Sequence, residues 1–426
     1  MQPAGSGGVD EGLPGLAGRS GLSHRASFTF IFLCVVLDML ALGIMVPVVP
    51  KLVMALEGGD HARAATISGV FGFGWALMQF VASPVLGSLS DHYGRRPILL
   101  LSSLGLGLDY VLMALAPNLY WLFLGRIISG ITAATSATAS AYIADITPEE
   151  QRASRYGLVG AAFGVGFVVG PAVGGLLASV DLRLPFWVAG AFSLANTLYG
   201  FFVLPESLSP ENRRPFHWKA AHPLGALEFV RQKSVRGGGL SRLMLAGFLY
   251  FLAIESLPSI FVLFTDYRFQ WSEKMVGLVL GAVGLTSMVV SGGLTGLAVR
   301  WCGEAGALLV GLLCGTIGYI CYGSAVSQAM FLAGIPLVGL WALCGPVQQA
   351  LLSRRVGTDE QGQLQGALSS LRGVSGMLGP LVFTASFAYA TSHPGWPPGL
   401  PFYLAAGLMA SSFLLTLPEL HRSKGT

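Results

Sequence analysis

The sequence predicts an all-α membrane protein of twelve transmembrane helices, arranged as two pseudo-symmetric six-helix bundles. Three observations lead there. Of 426 residues, 53% are hydrophobic and only 11% charged, against about 25% charged in a soluble domain. Apolar stretches recur at the length a helix needs to cross a bilayer, about 20 residues at 1.5 Å rise. One long polar interruption falls midway along the chain.

The spans are predicted at 28–50, 66–89, 98–116, 120–143, 156–179, 185–204, 243–265, 275–299, 306–325, 329–352, 364–390 and 400–418. The polar residues 1–27 are expected to form a disordered cytoplasmic leader, because no short apolar core is followed by a cleavage site. The first bundle is expected over 28–204 and the second over 243–418. Between them lies a cytoplasmic loop, 205–242, carrying Arg213, Arg214, Lys219, Arg231, Lys233 and Arg236. A cytoplasmic tail, 419–426, completes the chain. Orientation is read from the basic residues. With a cytoplasmic N-terminus, Lys51, Arg63, Arg183, Arg268 and Lys274 fall outside, Arg126 and Arg372 lie within spans, and the other 18 of the 25 fall inside.

The halves repeat weakly. Tyr156–Pro171 and Gln365–Pro380 align without gaps at an offset of 209, matching at Gly157/Gly366, Gly164/Gly373, Val165/Val374, Gly170/Gly379 and Pro171/Pro380. Chance similarity of Gly-rich helices would give matches of this kind, but the two segments hold the same rank in each half, which favours duplication. Two related halves with a midplane site between them form a transporter architecture.

Five ionisable side chains interrupt the apolar spans: Asp38, Asp109, Arg126, Glu255 and Arg372. A charge at bilayer depth costs roughly 2.5–3.5 kcal/mol on insertion scales, so such residues face the protein interior or a wet cavity and mark a pathway. Asp38, Asp109 and Glu255 are expected at one depth, near the middle of the membrane, on spans that all run outward. An oily setting disfavours the ionised form of a carboxylate, and a neighbouring guanidinium favours it. An acid poised between these effects can load and release a proton. The competing reading is a fixed ion pair such as Asp38–Arg126. Arg372 admits a structural reading, with its stem running to the cytoplasmic interface. Gln79 and Gln349 are uncharged candidates for the same cavity, as are the aromatics Phe71, Phe73, Trp75, Trp271 and Trp341.

Other classes are weakly supported. The five cysteines show no disulfide or zinc spacing. All seven histidines (24, 61, 92, 217, 222, 393 and 421) fall in tails, loops or span ends. No catalytic or metal arrangement is legible, which argues against a membrane enzyme. A net charge of +4 describes basic loops rather than a nucleic-acid surface. A non-transporting sensor remains open as an alternative, as does a proton symporter for a small metabolite.

Between spans two and three stands Gly87-Ser-Leu-Ser-Asp91-His-Tyr-Gly94-Arg95-Arg96-Pro97. A carboxylate, a helix-breaking glycine and an Arg pair in one tight loop suit switching contacts. Asp91 is expected at a helix N-terminus, where free N–H groups favour an anion. Arg95 is expected to pair with Asp145 at the cytoplasmic end of span four. On span five, Gly166, Gly170 and Gly174, with Pro171 among them, form a small-residue stripe for close packing.

This loop resembles motif A of the major facilitator superfamily. Gly164–Gly175 (GVGFVVGPAVGG) resembles motif C of its drug/proton antiporter branch, and Gly125-Arg126-Ile-Ile-Ser-Gly130 resembles motif B. After about residue 27 the chain is similar to the tetracycline exporter (TetA) group, in stretches such as Leu37-Asp38, Ala76-Leu-Met-Gln79, Leu108-Asp109-Tyr110 and Ala144-Asp145-Ile-Thr. The resemblance implies a proton-coupled antiporter that exports a drug-like amphipathic molecule by alternating access. Asp38, Gln79, Asp91, Arg95, Asp109 and Arg126 fall on that group's important positions, and motif A would latch the outward-facing state. It implies a bacterial inner-membrane location, a monomer, and no cofactor or resident metal. The energy would come from the proton gradient, with the substrate travelling as a metal chelate. Departures from the group are His92, Ser287, Gly315, Glu255 and Arg372. They concentrate in the second half and put tetracycline itself in doubt.

Overall fold

The computed structural model describes residues 16–132, 135–213, 215, 238–357 and 360–423. These form helices joined by short loops, with no strand among the described residues. The first six spans are Leu16–Met45 continued by Val49–Leu56, then His61–Tyr93, Arg95–Leu115, Leu119–Thr132 with Thr135–Ile146, Glu149–Ala178 and Leu184–Val203. The seventh is Gly238–Ile254 with Ser256–Phe269. The eighth and ninth form one run from Glu273 through Val290–Leu294 to Ser324. The tenth is assembled from four short pieces between Gln328 and Ser353. Gln361–Ser392 and Leu400–Ser423 complete twelve. An even number of crossings brings Leu16 and Ser423, the ends of the first and last helices, to one face, the terminal face. Loops after odd-numbered spans lie on the opposite, far face.

The first helix begins at Leu16, so twelve residues of the expected disordered leader are helical. Residues 1–15 lie outside the described residues, as do Arg214, Lys219, Arg231, Lys233 and Arg236 of the central loop.

The breaks have local causes. Pro47 and Pro50 lack the N–H that would continue the first helix, and a new one starts at Val49 with Pro50 in its first turn. Pro258 cannot donate to the carbonyl of Ile254, four residues back, and the seventh span breaks at Glu255. Gly303, at φ 71° and ψ 172°, separates the eighth span from the ninth. Gly94, at φ 110°, does the same between the second and third.

Gly94 and Gly303 are 209 residues apart, the offset of the repeat in spans five and eleven. At the same offset, Arg95 corresponds to Glu304 and Asp145 to Arg354. Both pairs are joined: Arg95 Nε lies 3.2 Å from Asp145 Oδ2, and Arg354 Nη2 lies 2.7 Å from Glu304 Oε1. Each half therefore carries the same glycine-broken turn and the same ion pair, with the signs reversed. This geometry supports duplication independently of the span-five match.

The glycine stripe of span five packs on span one. A methyl group on Gly170 would lie 2.6 Å from Gly43 Cα, and one on Gly166 would lie 2.7 Å from the Met39 carbonyl carbon. Pro171 Cδ closes on Gly43 from the same side. The far-face end of span five meets span eight at Gly175 and Gly277, where a methyl on either would lie 2.9 Å from the other's Cα. Spans two and eleven meet where Gly72 faces the Pro380 ring, at 2.7 Å from an added methyl. The two halves thus touch along two-eleven and five-eight, and a cavity remains between them.

Candidate functional site

That cavity has a volume of about 970 Å³ and takes its walls from both halves. Span one contributes Leu42, Met45, Val46 and Val49, and span two contributes Phe71, Trp75, Gln79 and Phe80. Arg126 enters from span four and Glu255 from the break in span seven. Arg372, Gly376 and Pro380 come from span eleven. The volume is in the upper range for small-molecule sites, and the lining has the expected character: apolar and aromatic, with a few polar groups.

Of the predicted residues, Gln79, Arg126, Glu255 and Arg372 line the cavity. Arg372 does not run to the interface. Its guanidinium stands over the Phe251 ring, 4.7 Å from the centroid, and borders the cavity. Arg126 stands over Trp75 at 5.2 Å. Both distances are within cation–π range.

Asp38 and Asp109 are inside the protein but not in the cavity wall. They are 5% and 1% exposed, whereas Leu108, next to Asp109, is 56% exposed. Span three therefore turns Leu101, Leu108 and Leu115 outward and its acid inward. The four carboxylate oxygens of Asp38 and Asp109 are buried without a hydrogen-bond partner. Asp38 lies one turn before Leu42 on the stripe that supplies the cavity. Asp109 lies against the Gly125 backbone, where an added methyl would sit 2.7 Å from Oδ1. It is thus the neighbour of Arg126, and the competing reading, a fixed Asp38–Arg126 pair, is not formed among the described residues.

Gln349 is outside the cavity lining and bonds to Gln365 at 3.3 Å. The 3₁₀ turn Leu340–Leu343 winds more tightly than an α-helix and rotates the phase of the residues beyond it, which a uniform helical reading of span ten does not anticipate. Its neighbour Gln348 is buried and donates to the Leu243 carbonyl at 3.1 Å. Phe71 and Trp75 line the cavity and Phe73 does not. Trp271 and Trp341 pack in the second half's core, against Phe331 and Tyr319.

The signature loop is formed as a brace within the first half. Arg95 pairs with both Asp91 and Asp145 and donates to Ser90 Oγ at 3.1 Å. Asp91 is not at a helix N-terminus. The turn at Gly94 comes three residues after it, which leaves Asp91 in the last turn of span two. The N-terminus of span three is held instead by Glu206, a residue that sequence reasoning does not single out. Its carboxylate accepts from the Arg95 and Arg96 N–H groups at 2.9 and 3.3 Å, placing an anion at a helix N-terminus. A side chain at Gly94 would collide with it. Arg96 donates to the Phe201 carbonyl at 2.6 Å, while Gly87 has open space around it.

A second cluster joins residues that the sequence presents only as loop charges. On the far face, Lys51 is 7% exposed. It pairs with Asp266, lies 3.6 Å from Glu273, and donates to the Trp271 carbonyl at 3.0 Å. His61 Nε2 is 2.9 Å from the other Asp266 oxygen. Lys51 and His61 belong to the first half, Asp266 and Glu273 to the second. On the terminal face, Arg95–Asp145 and Glu419 with Arg242 and Arg355 are pairs within one half. The Lys51 cluster clamps the two halves together at the far face. A lysine inside the apolar helix Val49–Leu56 is the signal that could have revealed it.

A membrane-embedded helical protein with two related halves and a mixed polar cavity between them is built as a transporter rather than as an enzyme. The chain belongs to the Major Facilitator Superfamily, whose description matches residues 31–380. It is 39% identical over 388 residues to the tetracycline resistance protein, class C, of Escherichia coli, covering 91% of this chain and 94% of that protein. It is 35% identical over 379 residues to the class E protein of Escherichia coli, covering 89% and 91%. Among solved structures it resembles the human organic anion transporter MFSD10 (TETRAN), with 25% identity, a TM-score of 0.67, and 92% and 99% of the two chains covered.

Proposed function

We propose that the chain is a proton-coupled antiporter that exports a drug-like amphipathic molecule. The observation that carries this is the 970 Å³ cavity between the halves, apolar and aromatic but bordered by Glu255 and Arg126. Two further acids, Asp38 and Asp109, are held inside without hydrogen-bond partners. The names of the tetracycline resistance proteins support a drug as cargo.

The terminal face is the cytoplasmic one in this reading, and the membrane is a bacterial inner membrane. The far-face clamp of Lys51, His61, Asp266 and Glu273 then holds the outside closed. Substrate reaches the cavity from the cytoplasm while the acids are deprotonated. The halves rock about the two-eleven and five-eight contacts, the clamp parts, and external protons load Asp38 or Glu255 as substrate leaves. The Asp91–Arg95–Asp145 brace keeps spans two, three and four moving together. The chain works as a monomer with no resident cofactor, on the energy of the proton gradient.

The test is drug movement and pH change recorded together in inverted vesicles and in liposomes containing the purified protein. Drug uptake into inverted vesicles with protons leaving is expected. Co-movement of proton and cargo in the same direction would establish a symporter instead. Movement of neither, across a panel that includes tetracyclines, would refute the transport reading.

A further inference from the structure

Glu255 and Arg372 are the two charges in the cavity that the exporter resemblance does not account for. Both line it from the second half, one from span seven and one from span eleven. Their relative position is set by the packing. The Glu255 side chain lies against Gly379, where an added methyl would fall 2.9 Å from its Cγ. Gly379 is seven residues beyond Arg372 on the same helix. Positions seven apart share one helix face, and they are separated by about 10 Å along its axis. Glu255 and Arg372 therefore enter one cavity at levels about two turns of span eleven apart. At that spacing they form no ion pair, and none is found for either among the described residues. Span two packs directly on span eleven, with Gly72 on Pro380 and Phe80 on Gly373, and gives the adjoining wall its aromatic face of Phe71, Trp75 and Phe80.

We propose that Glu255 and Arg372 form a two-ended site for a zwitterionic amphiphile. Glu255 takes the cationic end, Arg372 takes the acidic end, and the ring body lies against the span-two aromatics. The charges of such a molecule complete what the protein leaves open. An intramembrane charge without a counter-charge is expensive, and one ligand bearing both signs relieves both residues at once. A purely cationic amphiphile would leave Arg372 unmatched, and an anionic one would leave Glu255 unmatched. The site also has the sign that antiport needs, because a proton arriving on Glu255 removes the partner of the cationic end and weakens the hold on the cargo. This inference rests on the reading of the cavity as the substrate site, and it narrows the class of substrate.

The experiment is equilibrium binding to the purified full-length protein at neutral pH with EDTA present, followed by tryptophan quenching. Three probes are compared: tetracycline (zwitterionic), its 4-dedimethylamino analogue (acidic group only) and tetraphenylphosphonium (cation only). The wild type is expected to bind the zwitterion at least tenfold more tightly than either single-charge probe. Arg372→Gln should weaken zwitterion binding about tenfold and leave the phosphonium unchanged. Glu255→Gln should weaken the zwitterion and the phosphonium and spare the acidic analogue. The reversed pair, Glu255→Arg with Arg372→Glu, should recover part of the zwitterion affinity, which a merely structural role would not do. Equal affinity of the wild type for zwitterion and cation would overturn the inference, as would zwitterion binding unaffected by Arg372→Gln. Wild-type binding that appears only when Mg²⁺ is added would overturn it in favour of a cationic chelate held by Glu255 alone. None of these results bears on whether the wild type exchanges cargo for protons in vesicles, which tests the wider reading separately.

Discussion

Asp38 is 5% exposed and has neither a hydrogen bond nor an ion pair among the described residues. A residue placed for stability alone would be matched, since an unmatched buried polar group costs free energy. Function explains its retention better. Asp38→Asn is expected to keep expression and fold, because the amide is isosteric, and to lower proton-driven drug exchange in liposomes at least a hundredfold. Exchange at the wild-type rate would contradict the assignment. Asp109 differs in having Arg126 as a neighbour, through the bare backbone at Gly125. Both acids were legible in the sequence as charges in apolar helices. Their separation from the cavity wall was not, because helical phase relative to a partner depends on which helices meet.

The elements show why small residues matter more here than propensity. In a bilayer, close backbone approach replaces the hydrophobic effect as the means of helix association. Spans one and five approach closely enough that Gly170 has no room for a methyl. Gly292 and Gly293, in the π-helical stretch of span eight, have nothing within 4 Å. Gly170→Val is therefore expected to separate spans one and five and lower the melting temperature in detergent by several degrees or prevent recovery of monodisperse protein. Gly292→Ala should be neutral in the same assay. Equal tolerance of both would mean the seam does not hold the first half together. The stripe itself was visible as a four-residue recurrence, while its partner, Gly43, emerged only from the packing.

At the scale of the whole molecule, the halves are joined by the far-face clamp and by the meeting of spans two with eleven and five with eight. Lys51 is the centre of the clamp. Removing one partner of a fully buried ion pair costs about 3–5 kcal/mol, but Asp266 and Glu273 retain 18% and 27% exposure. The loss here is therefore smaller. Lys51→Ala is expected to raise about tenfold the rate at which an impermeant maleimide, added from the far face, labels a cysteine placed at Ser68 in a cysteine-free background. No change in labelling would show that the clamp does not close that side. The charge-reversed pairs of the two halves give a further test. Arg354 is 74% exposed in its pair with Glu304, whereas Arg95 is 12% exposed. Exchanging Glu304 and Arg354 (Glu304→Arg with Arg354→Glu) should restore the stability lost in either single variant, with a coupling below about 1 kcal/mol in a double-mutant cycle. The same exchange of Arg95 and Asp145 should not, because Arg95 also holds Asp91 and Ser90.

The sequence by itself determined the twelve spans, the division into halves, the identity of the interior charges and the turn at Gly94. Each of these arises from short-range properties: apolar length, proline and glycine breaks, and the penalty for a charge in oil. Only the tertiary structure decided which charges meet. Lys51 reaches Asp266 across 215 positions of sequence, Glu206 caps a helix 111 residues before it, and Glu255 and Arg372 enter one cavity without touching. Electrostatic attraction acts through space and leaves no trace in local composition, so these partners become known only when the helices have been packed.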